Sequence, residues 1–344
     1  MKILLFEYFT ASKSDDHSII SEAKAMIEGL LNELKNFEVH LLISKNFLSF
    51  FKGYDFVSII SIEEDLFTWL EINVSKFNKV MFIGAEEDMI LYELTKLIED
   101  QGVEILGSNS KGVLKCSNKH DTYLLLKDRV TQPRTIKITA DNNDHHSLVE
   151  QLFSEFNSNL VVKPVCGVDC QDTILVSDEK DICNLNDYEN DFLVQEFVEG
   201  EIVSVSLISD GNESLPISLN KQLIAVRDSE FSYLGGEIPF NHPLKHDAFE
   251  VAKTAIEAIG GLKGFVGVDL ILSDDRVYFL EINSRFTTSY VGLTKVVDIN
   301  IGETIVKLLT NQIDLDSINF KFNGEVRFIK KGEYLDVVEF PKFS

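Results

Sequence analysis

The chain has 344 residues, of which 44% are hydrophobic and 6 are proline, a composition typical of two or three folded domains rather than of a disordered polypeptide. Its formal net charge is −24, from 32 Lys and Arg against 56 Asp and Glu. This acidic excess disfavours nucleic acid and anionic membranes as partners, because phosphate binding requires clustered basic residues.

The sequence also argues against secretion and membrane insertion. The first segment, "MKILLFEYF", is interrupted by Glu7 too early for a signal sequence, and no apolar run approaches the ~18 residues of a membrane span. Four cysteines do not form a disulfide scaffold in a chain of this length. We therefore expect a cytoplasmic protein.

Residues 1–107 alternate between strand-like and helical patterns. The strand-like segments are "KILLFEYF", "EVHLLIS", "FVSIIS", "KVMFIGA" and "EILG", and the helical ones are "SIISEAKAMIEGLLNELK", "DLFTWLEINVSKF" and "DMILYELTKLIEDQG". The alternation predicts a doubly wound, mostly parallel α/β sheet, which binds ligands at the carboxyl ends of its strands. No G-x-G-x-x-G motif is present, which disfavours a dinucleotide-binding domain.

The rest of the chain mixes helices with strands. Residues 108–190 predict a small α+β unit, with helices through "NKHDTYLLLKDR" and near "SLVEQLFSEF" and a strand at "LVVKPV". From residue 191 we predict the strands "FLVQEFV", "EIVSVSLIS" and "LPISLNKQLIAV", a helix at "AFEVAKTAIEAI", and a closing strand pair, "GFVGVDLIL" and "VYFLEINSR".

The closing strand pair carries oxygen-bearing side chains. The residues "SDDR" (273–276) favour a turn, and a hairpin centred on Asp275 places Asp269 directly opposite Glu281, with Asn283 further along the same face. Facing carboxylates repel unless a cation neutralises them. Oxygen ligands suit Mg²⁺ rather than a soft metal, so we predict a magnesium site at Asp269, Glu281 and Asn283.

The two-residue period of a strand also predicts which residues lie on the same face as this site. Val277 and Phe279 have the same parity as Glu281, and Arg285 shares it if the strand continues, so all four are expected on one face. The alternative interpretation is an exposed strand face with scattered polar groups, which the apolar neighbours disfavour.

Two lysines could hold the phosphates that Mg²⁺ usually accompanies. Lys163 lies inside an apolar strand, where an unpaired ammonium is costly, and Pro164 and Gly167 then break that strand into a loop whose amides could bind an anion. Lys119 in "SNKHDTYLLL" is a second candidate. Further along, "LVQEFVEGEIVSVSL" (193–207) forms a strand, a linker and a second strand, and such a linker can expose backbone groups to an adenine edge.

Five segments in this order resemble the ATP-grasp superfamily: "NKHDTYLLLKD", "VVKPVCG", "VQEFVEGEIVSVSL", "GFVGVDLIL" and "FLEINSR". The resemblance covers about residues 108–310 and implies an ATP-grasp fold, in which two α+β lobes clamp ATP after a doubly wound α/β domain. It implies an N-terminal α/β domain at 1–112, a small central lobe at 113–190 and a C-terminal lobe with the metal site at 191–344.

The resemblance also implies the residues that bind the nucleotide and its metal. They are Lys119 and Lys163 for the phosphates of ATP; Glu196, Phe197 and Val198 for the adenine; Glu201 for the ribose; and Asp269, Glu281 and Asn283 for Mg²⁺, with Mn²⁺ as the alternative ion.

A narrower resemblance involves "FEYFTAS", "EEDMILYELTKLIED", "PISLNKQLI" and "YLGGEIPF". These segments are similar to the archaeal tyramine–glutamate ligases of methanofuran biosynthesis, which join the γ-carboxylate of glutamate to the amine of tyramine. The resemblance implies an ATP-dependent carboxylate–amine ligase that forms an acyl phosphate and releases ADP and phosphate. Its partners would then be a small acid and a small amine.

The chain departs from the family pattern at Gly267, where many carboxylate–amine ligases carry a basic residue two positions before the metal aspartate. Charge on the transferring phosphoryl group must then be met elsewhere, with Arg285 or Lys221 as candidates. A planar guanidinium at Arg285 could also hold a carboxylate through two hydrogen bonds.

Three other functions are compatible with these motifs. The first is another ATP-grasp amino-acid or isopeptide ligase, for example of lysine-derived substrates. The second is a phosphotransferase, and the third is a nucleotide sensor without catalysis. The sequence leaves open a homodimer and a redox role for Cys166 and Cys170.

Overall fold

The structure is a computed structural model of the chain, and it describes residues 1–341 except 13–16, 142–144, 168–171, 183–189 and 332–333. The strands of this described part form two sheets, one parallel and one mainly antiparallel. No helix within it is long and apolar enough to cross a membrane.

The N-terminal sheet is parallel and has helices on both faces. Its strands run in the order β3-β2-β1-β4-β5 and are β1 (Lys2–Glu7), β2 (Glu38–Ser44), β3 (Ser58–Ile62), β4 (Lys79–Ile83) and β5 (Glu104–Ile105). The helices are α1 (Tyr8–Ser12), α2 (His17–Glu33), α3 (Leu66–Asn73) and α4 (Ile90–Asp100). Successive residues of β1 face opposite sides of the sheet. Ile3 and Leu5 pack in the core that includes α2, whereas Leu4 and Phe6 pack in the core that includes α3 and α4. The predicted doubly wound parallel sheet is confirmed.

The second sheet runs in the order β14-β13-β10-β11-β12-β8-β7-β9-β6, and β15 joins it beside β12. Its strands are β6 (Thr135–Ile138), β7 (Leu160–Pro164), β8 (Ile174–Val176), β9 (Phe192–Glu196), β10 (Glu201–Asp210), β11 (Ser214–Arg227), β12 (Glu230–Ile238), β13 (Lys263–Ser273), β14 (Arg276–Asn283), β15 (Gly324–Lys331) and β16 (Tyr334–Pro341). The accompanying helices are α5 (Ser110–Ser117), α6 (Lys119–Leu126), α7 (His145–Phe156), α8 (Glu179–Ile182), α9 (Lys245–Ile259), α10 (Ser289–Val296) and α11 (Ile301–Leu309).

The order of the strands groups β6 to β9 at one end of this sheet and β10 to β14 at the other. The partition at residues 112 and 190 stays a prediction, and α5 runs across the first of these boundaries. The C-terminal hairpin of β15 and β16 was not predicted. Val326 and Phe328 of β15 are buried in the core that also contains α10 and α11.

A buried carboxylate joins the N-terminal unit to the C-terminal helices. Glu33, the last residue of α2, accepts hydrogen bonds from the backbone N–H groups of Ile301 (3.1 Å) and Gly302 (2.7 Å) and from the hydroxyl of Tyr290 (2.7 Å). Burial raises the pKa of Glu33 even though these three donors lower it. Since the two amides belong to the first turn of α11, one residue of α2 satisfies donors that this helix cannot satisfy itself.

Candidate active site

The hairpin of β13 and β14 contains a bulge that sets the register of the carboxylates. Leu270 pairs with Phe279 and Asp269 with Glu281, so Leu280 is an extra residue on β14. The predicted pairing of Asp269 with Glu281 is confirmed. It depends on the bulge, because the register nearer the turn would place Asp269 opposite Leu280.

The same bulge makes one prediction wrong. Val277 and Phe279 do not share the face of Glu281, because both pack with Ile282 in the core that includes α9. Phe279 and Ile282 are three residues apart, and the extra residue between them brings both to one face. Glu281 and Asn283 point into cavities on the other side of the sheet.

Asp269 is held by two amide side chains. Gln222 Nε2 donates to Oδ1 at 2.8 Å, and Asn283 Nδ2 donates to Oδ2 at 2.9 Å. Burial and the facing charge of Glu281 raise the pKa of Asp269 to about 7, against the opposing effect of the two amides. The structure therefore brings the three predicted metal ligands together, with a repulsion between Asp269 and Glu281 that a divalent cation would relieve.

Two lysines surround the other carboxylate. Lys119 Nζ lies 3.2 Å from Oε2 of Glu281 and donates to the carbonyl of Gly167 at 2.6 Å. Burial raises the pKa of Glu281, but the charges of Lys119 and Lys163 outweigh it and lower the pKa overall. Lys163 in β7 is 9% exposed, as the apolar pattern of its strand indicates. Both predicted phosphate ligands thus lie around Glu281.

Two cavities meet at these carboxylates. The smaller, of about 170 Å³, is lined by both lysines and by apolar residues of β7 and of β10 to β14. The larger, of about 330 Å³, lies between the N-terminal sheet, β13, β14 and β15. The residues that line both cavities are Gln222, Ile224, Asp269 and Glu281. A group bound at Asp269 and Glu281 would therefore contact ligands in either cavity.

The segment predicted to bind the adenine lines the smaller cavity, but Glu196 and Phe197 already form hydrogen bonds within the protein. The carboxylate of Glu196 forms two hydrogen bonds of 3.0 Å with Arg134, which lower its pKa, so this side chain already has a partner. The N–H of Phe197 donates to the carbonyl of Asn159 at 2.9 Å and is not free to read a base. Val198 also lines the cavity. The N–H of Glu196 likewise donates to the carbonyl of Arg134 at 2.8 Å, so the carbonyl of Glu196 and the backbone groups of Val198 remain the candidates.

Glu201 and Lys221 are brought together, but away from both cavities as the described residues define them. Lys221 Nζ lies 2.6 Å from Oε1 of Glu201, and His242 Nε2 lies 3.6 Å from Oε2. Gly200 and Ile202 line the smaller cavity, whereas Glu201 between them does not, because successive residues of a strand face opposite sides. The ribose role of Glu201 and the phosphoryl role of Lys221 stay predictions.

Arg285 lies in the loop after β14 and lines the larger cavity. Its NH2 is 3.2 Å from Oε2 of Glu86, and its NH1 donates to the carbonyl of Phe286 at 3.1 Å. Its Nε is buried and has no hydrogen-bond partner among the described residues. An anionic ligand in the larger cavity could complete the hydrogen bonding of this guanidinium.

Gly267 also lines the larger cavity. A Cβ atom at this position would lie 3.0 Å from Cγ2 of Thr287, so a long basic side chain would require Thr287 to move. Since Arg285 reaches the same cavity from the following loop, it could supply the charge that the family pattern provides at this position.

Sequence reasoning missed Glu7, Glu86 and Gln222. Glu7 ends β1, lines the larger cavity and accepts hydrogen bonds from the N–H groups of Phe9 (3.0 Å) and Thr10 (2.9 Å). Burial raises the pKa of Glu7 to about 7. The available signal was a carboxylate inside the apolar run "LLFEYF".

The donor set fits a hard divalent cation. The described residues contain no group of three His, Cys, Asp or Glu side chains placed to hold a metal ion. A site here would consist of Asp269, Glu281 and the amide oxygen of Asn283, completed by ligand oxygens, which is the pattern of Mg²⁺ bound with phosphates. Of the cysteines, Cys116 is a free thiol and Cys166 is free and exposed, and Cys170 lies outside the described residues.

The chain is similar to known proteins over nearly its whole length. The family model described as an ATP-grasp domain matches residues 116–289. A tyramine–L-glutamate ligase of Methanocaldococcus fervens is 34% identical, over 96% of this chain and 100% of that protein. The enzyme of the same name from Methanocaldococcus jannaschii is 32% identical, over 96% and 94%. A crystal structure of an ATP-grasp superfamily protein from Archaeoglobus fulgidus has a TM-score of 0.71 and 25% identity, over 99% of both chains.

Proposed function

Because this chain belongs to the ATP-grasp family, we propose that it is an ATP-dependent ligase that joins the γ-carboxylate of L-glutamate to the amine of tyramine. The products are the amide, ADP and phosphate. The names of the two similar Methanocaldococcus ligases support this choice of substrates.

One observation supports the reaction type more than any other: the two cavities share Asp269 and Glu281. In a ligase of this type the γ-phosphate of ATP must meet a carboxylate from a second substrate. A nucleotide in the smaller cavity and an amino acid in the larger one would meet at these two carboxylates. This arrangement positions the reactants, which is the main contribution of the protein to such a reaction.

ATP binds in the smaller cavity in this proposal. Lys119 and Lys163 contact its phosphates, and the carbonyl of Glu196 and the backbone groups of Val198 contact the adenine, with Phe197 in the cavity wall. Asp269, Glu281 and Asn283 hold Mg²⁺, for which Mn²⁺ could substitute. When bound, the ion neutralises charge on the phosphates and orients them.

The reaction has two steps. An oxygen of the substrate carboxylate attacks the γ-phosphorus, the bond to the β-phosphate oxygen breaks, and an acyl phosphate and ADP result. The amine nitrogen then attacks the acyl carbon, phosphate leaves with that oxygen, and the amine loses a proton. Arg285 holds the carboxylate and then the acyl phosphate, because its half-buried guanidinium lines the cavity in which these groups form.

The same proposal covers the cellular setting. The reaction uses small molecules, takes place in the cytoplasm and serves methanofuran synthesis, and neither nucleic acid nor a membrane takes part. The protein forms a homodimer in this proposal, and the residues 1–112, 113–190 and 191–344 form its three domains.

Measuring ADP release tests this function. ATP, Mg²⁺, L-glutamate and tyramine together should give ADP and the amide in equal amounts, and omission of either substrate should abolish amide formation. Product without tyramine would indicate a phosphotransferase, and ATP binding without turnover would indicate a sensor. Turnover only with other acids, such as lysine derivatives, would leave the ATP-grasp ligase and overturn the substrates.

A further inference from the structure

A half-buried ion pair in the wall of the larger cavity has no role in the reaction described above. Glu22 of α2 and Lys330 of β15 both line this cavity, and Nζ of Lys330 lies 2.7 Å from Oε1 of Glu22. Their side chains are only 14% and 17% exposed. Thr288 Oγ1 donates to the other oxygen of Glu22 at 2.6 Å. The three residues come from α2, from β15 and from the position just before α10.

The carboxylate of Glu22 can still accept a hydrogen bond. Its Oε1 is buried and accepts no aligned hydrogen bond among the described residues, although Nζ of Lys330 lies 2.7 Å away. This approach is thus a contact between charges rather than a directed hydrogen bond. A carboxylate has about four lone-pair sites, so Glu22 can bind a further donor, and Lys330 beside it places a cation in the same cavity lining.

The position of the pair separates it from the reacting phosphate. Glu22 and Lys330 are not among the described residues that line the smaller cavity, in which ATP is proposed to bind. Asp269 and Glu281, in contrast, line both cavities. Thr288 lies in the segment that follows Arg285, so the pair is hydrogen-bonded to the loop that carries the guanidinium. Besides Arg285, Glu7 and Glu87, the larger cavity therefore has a charged pair where it meets the smaller cavity, Asp269 with Glu281, and another on α2 and β15.

We infer that Glu22 and Lys330 bind the α-ammonium and α-carboxylate groups of the amino-acid substrate, so that its side-chain carboxylate is the one presented to Arg285 and the metal ligands. This inference rests on the proposed function, since it assigns a subsite for glutamate. The two residues determine specificity and regiochemistry and take no part in bond formation.

Charge matching favours an amino acid over the amine at this subsite. A zwitterionic head group places a cation beside Glu22 and an anion beside Lys330, and every charge then has an opposite neighbour. Tyramine carries an ammonium but no carboxylate, so it matches the charge of Glu22 alone. Unpaired buried charge is costly, which is why the complete head group fits better than either half.

A substrate series on the wild-type protein tests the inference without any mutation. Glutarate lacks the α-ammonium group of glutamate, and 4-aminobutanoate lacks its α-carboxylate. With ATP and tyramine, each should have a kcat/KM at least about thirtyfold below that of L-glutamate, because each loses one charge-assisted interaction. Values within threefold of that of L-glutamate for both analogues would overturn the inference.

Two substitutions test which residue binds the α-ammonium group of glutamate and which binds its α-carboxylate. Lys330→Met should raise the KM for L-glutamate about thirtyfold and remove the preference over 4-aminobutanoate, and Glu22→Gln should remove the preference over glutarate. The KM values for ATP and tyramine should stay within threefold. Glu28→Gln is the matched control, because Glu28 lies on the same helix, pairs with Lys24 at 2.8 Å and is not in the cavity lining.

The outcomes of these experiments distinguish a failure of this inference from a failure of the proposed function. No amide from L-glutamate and tyramine in the wild type would overturn the proposed function itself. An active wild type whose variants lose activity equally with all three acids would overturn the subsite and leave the function intact. If either variant fails to unfold cooperatively, the wild-type series alone decides.

Discussion

Asp269 and Glu281 face each other across β13 and β14 because one extra residue, Leu280, shifts the register between them. Their carboxylates lie where the two cavities join. Glu281→Gln keeps the shape but removes a charge that a metal ion needs, so kcat should fall at least about 100-fold. Turnover assays with Mg²⁺, together with circular dichroism to monitor the fold, measure this.

The control for this change is Asp275→Asn, at the exposed turn of the same hairpin, where the carboxylate lies 3.7 Å from Arg276. This variant should keep wild-type turnover. A Glu281→Gln protein that retains more than a tenth of wild-type activity would remove Glu281 from the metal site.

Lys163→Met should weaken ATP binding and slow the reaction. Methionine retains the length of a side chain that is 9% exposed but removes its charge, and the loss of a charged hydrogen-bond donor lowers affinity about 10- to 100-fold. Calorimetric titration with ATP and Mg²⁺ measures this. Lys137→Met is the control, because Lys137 pairs with Asp191 at 2.6 Å in the same lobe and is not in the cavity lining. Equal affinities for the two variants would refute the phosphate role.

Arg285→Lys should retain ATP binding and lose the chemical step. Lysine keeps the charge but not the planar pair of donors, and losing such a partner costs about 2–4 kcal/mol, or roughly 30- to 1,000-fold in rate. Trapping of the acyl phosphate with hydroxylamine should fall in parallel with amide formation. Arg276→Lys at the exposed turn is the control. Normal trapping with failed amide formation would assign Arg285 to the second step instead.

The Glu201→Ala variant tests whether Glu201 contacts the ribose of ATP, as the sequence predicts. The carboxylate of Glu201 already pairs with Lys221 and is not in the described lining of the smaller cavity. We therefore expect the KM for ATP to change less than about threefold. The comparison is with Lys221→Met, which removes the other half of the same pair and should have a similar effect. A rise of tenfold or more in the KM for ATP, in Glu201→Ala alone, would restore its predicted contact with the ribose.

Glu7 should make the free energy of unfolding depend on pH. Burial raises its pKa to about 7 from an ordinary value of 4.5, so its favourable contribution is complete below about pH 4.5 and is lost as the pH rises through 7. Relative to wild type, Glu7→Gln should therefore gain stability between pH 4.5 and 8, by at most about 3 kcal/mol. Urea denaturation of both proteins at several pH values measures this difference, and a constant difference would refute the raised pKa.

The sequence predicts the parallel N-terminal sheet well, because its strands are buried on both faces and alternate with helices of clear 3.6-residue period. It also predicts that Asp269 opposes Glu281. It does not predict the bulge at Leu280, which depends on how β14 packs against β13 and α9. Periodicity alone therefore placed Val277 and Phe279 on the wrong face.

Other features depend on tertiary contacts. Glu201 and Ile202 are adjacent in sequence, and only the packing of β10 decides which of them faces the cavity. The pairing of Glu22 with Lys330 joins two distant parts of the chain, and the contacting segment at β15 carried no sequence prediction. Residues that bring distant parts of the chain together are thus harder to identify than residues within one motif.

The transfer of oxygen from substrate to phosphate tests the central claim most directly. We would incubate the protein with ATP, Mg²⁺, tyramine and L-glutamate labelled with ¹⁸O in the γ-carboxylate, and analyse the released phosphate by mass spectrometry. Activation of this carboxylate as an acyl phosphate predicts one ¹⁸O atom in each phosphate for every amide formed. Amide formation with unlabelled phosphate would contradict the account.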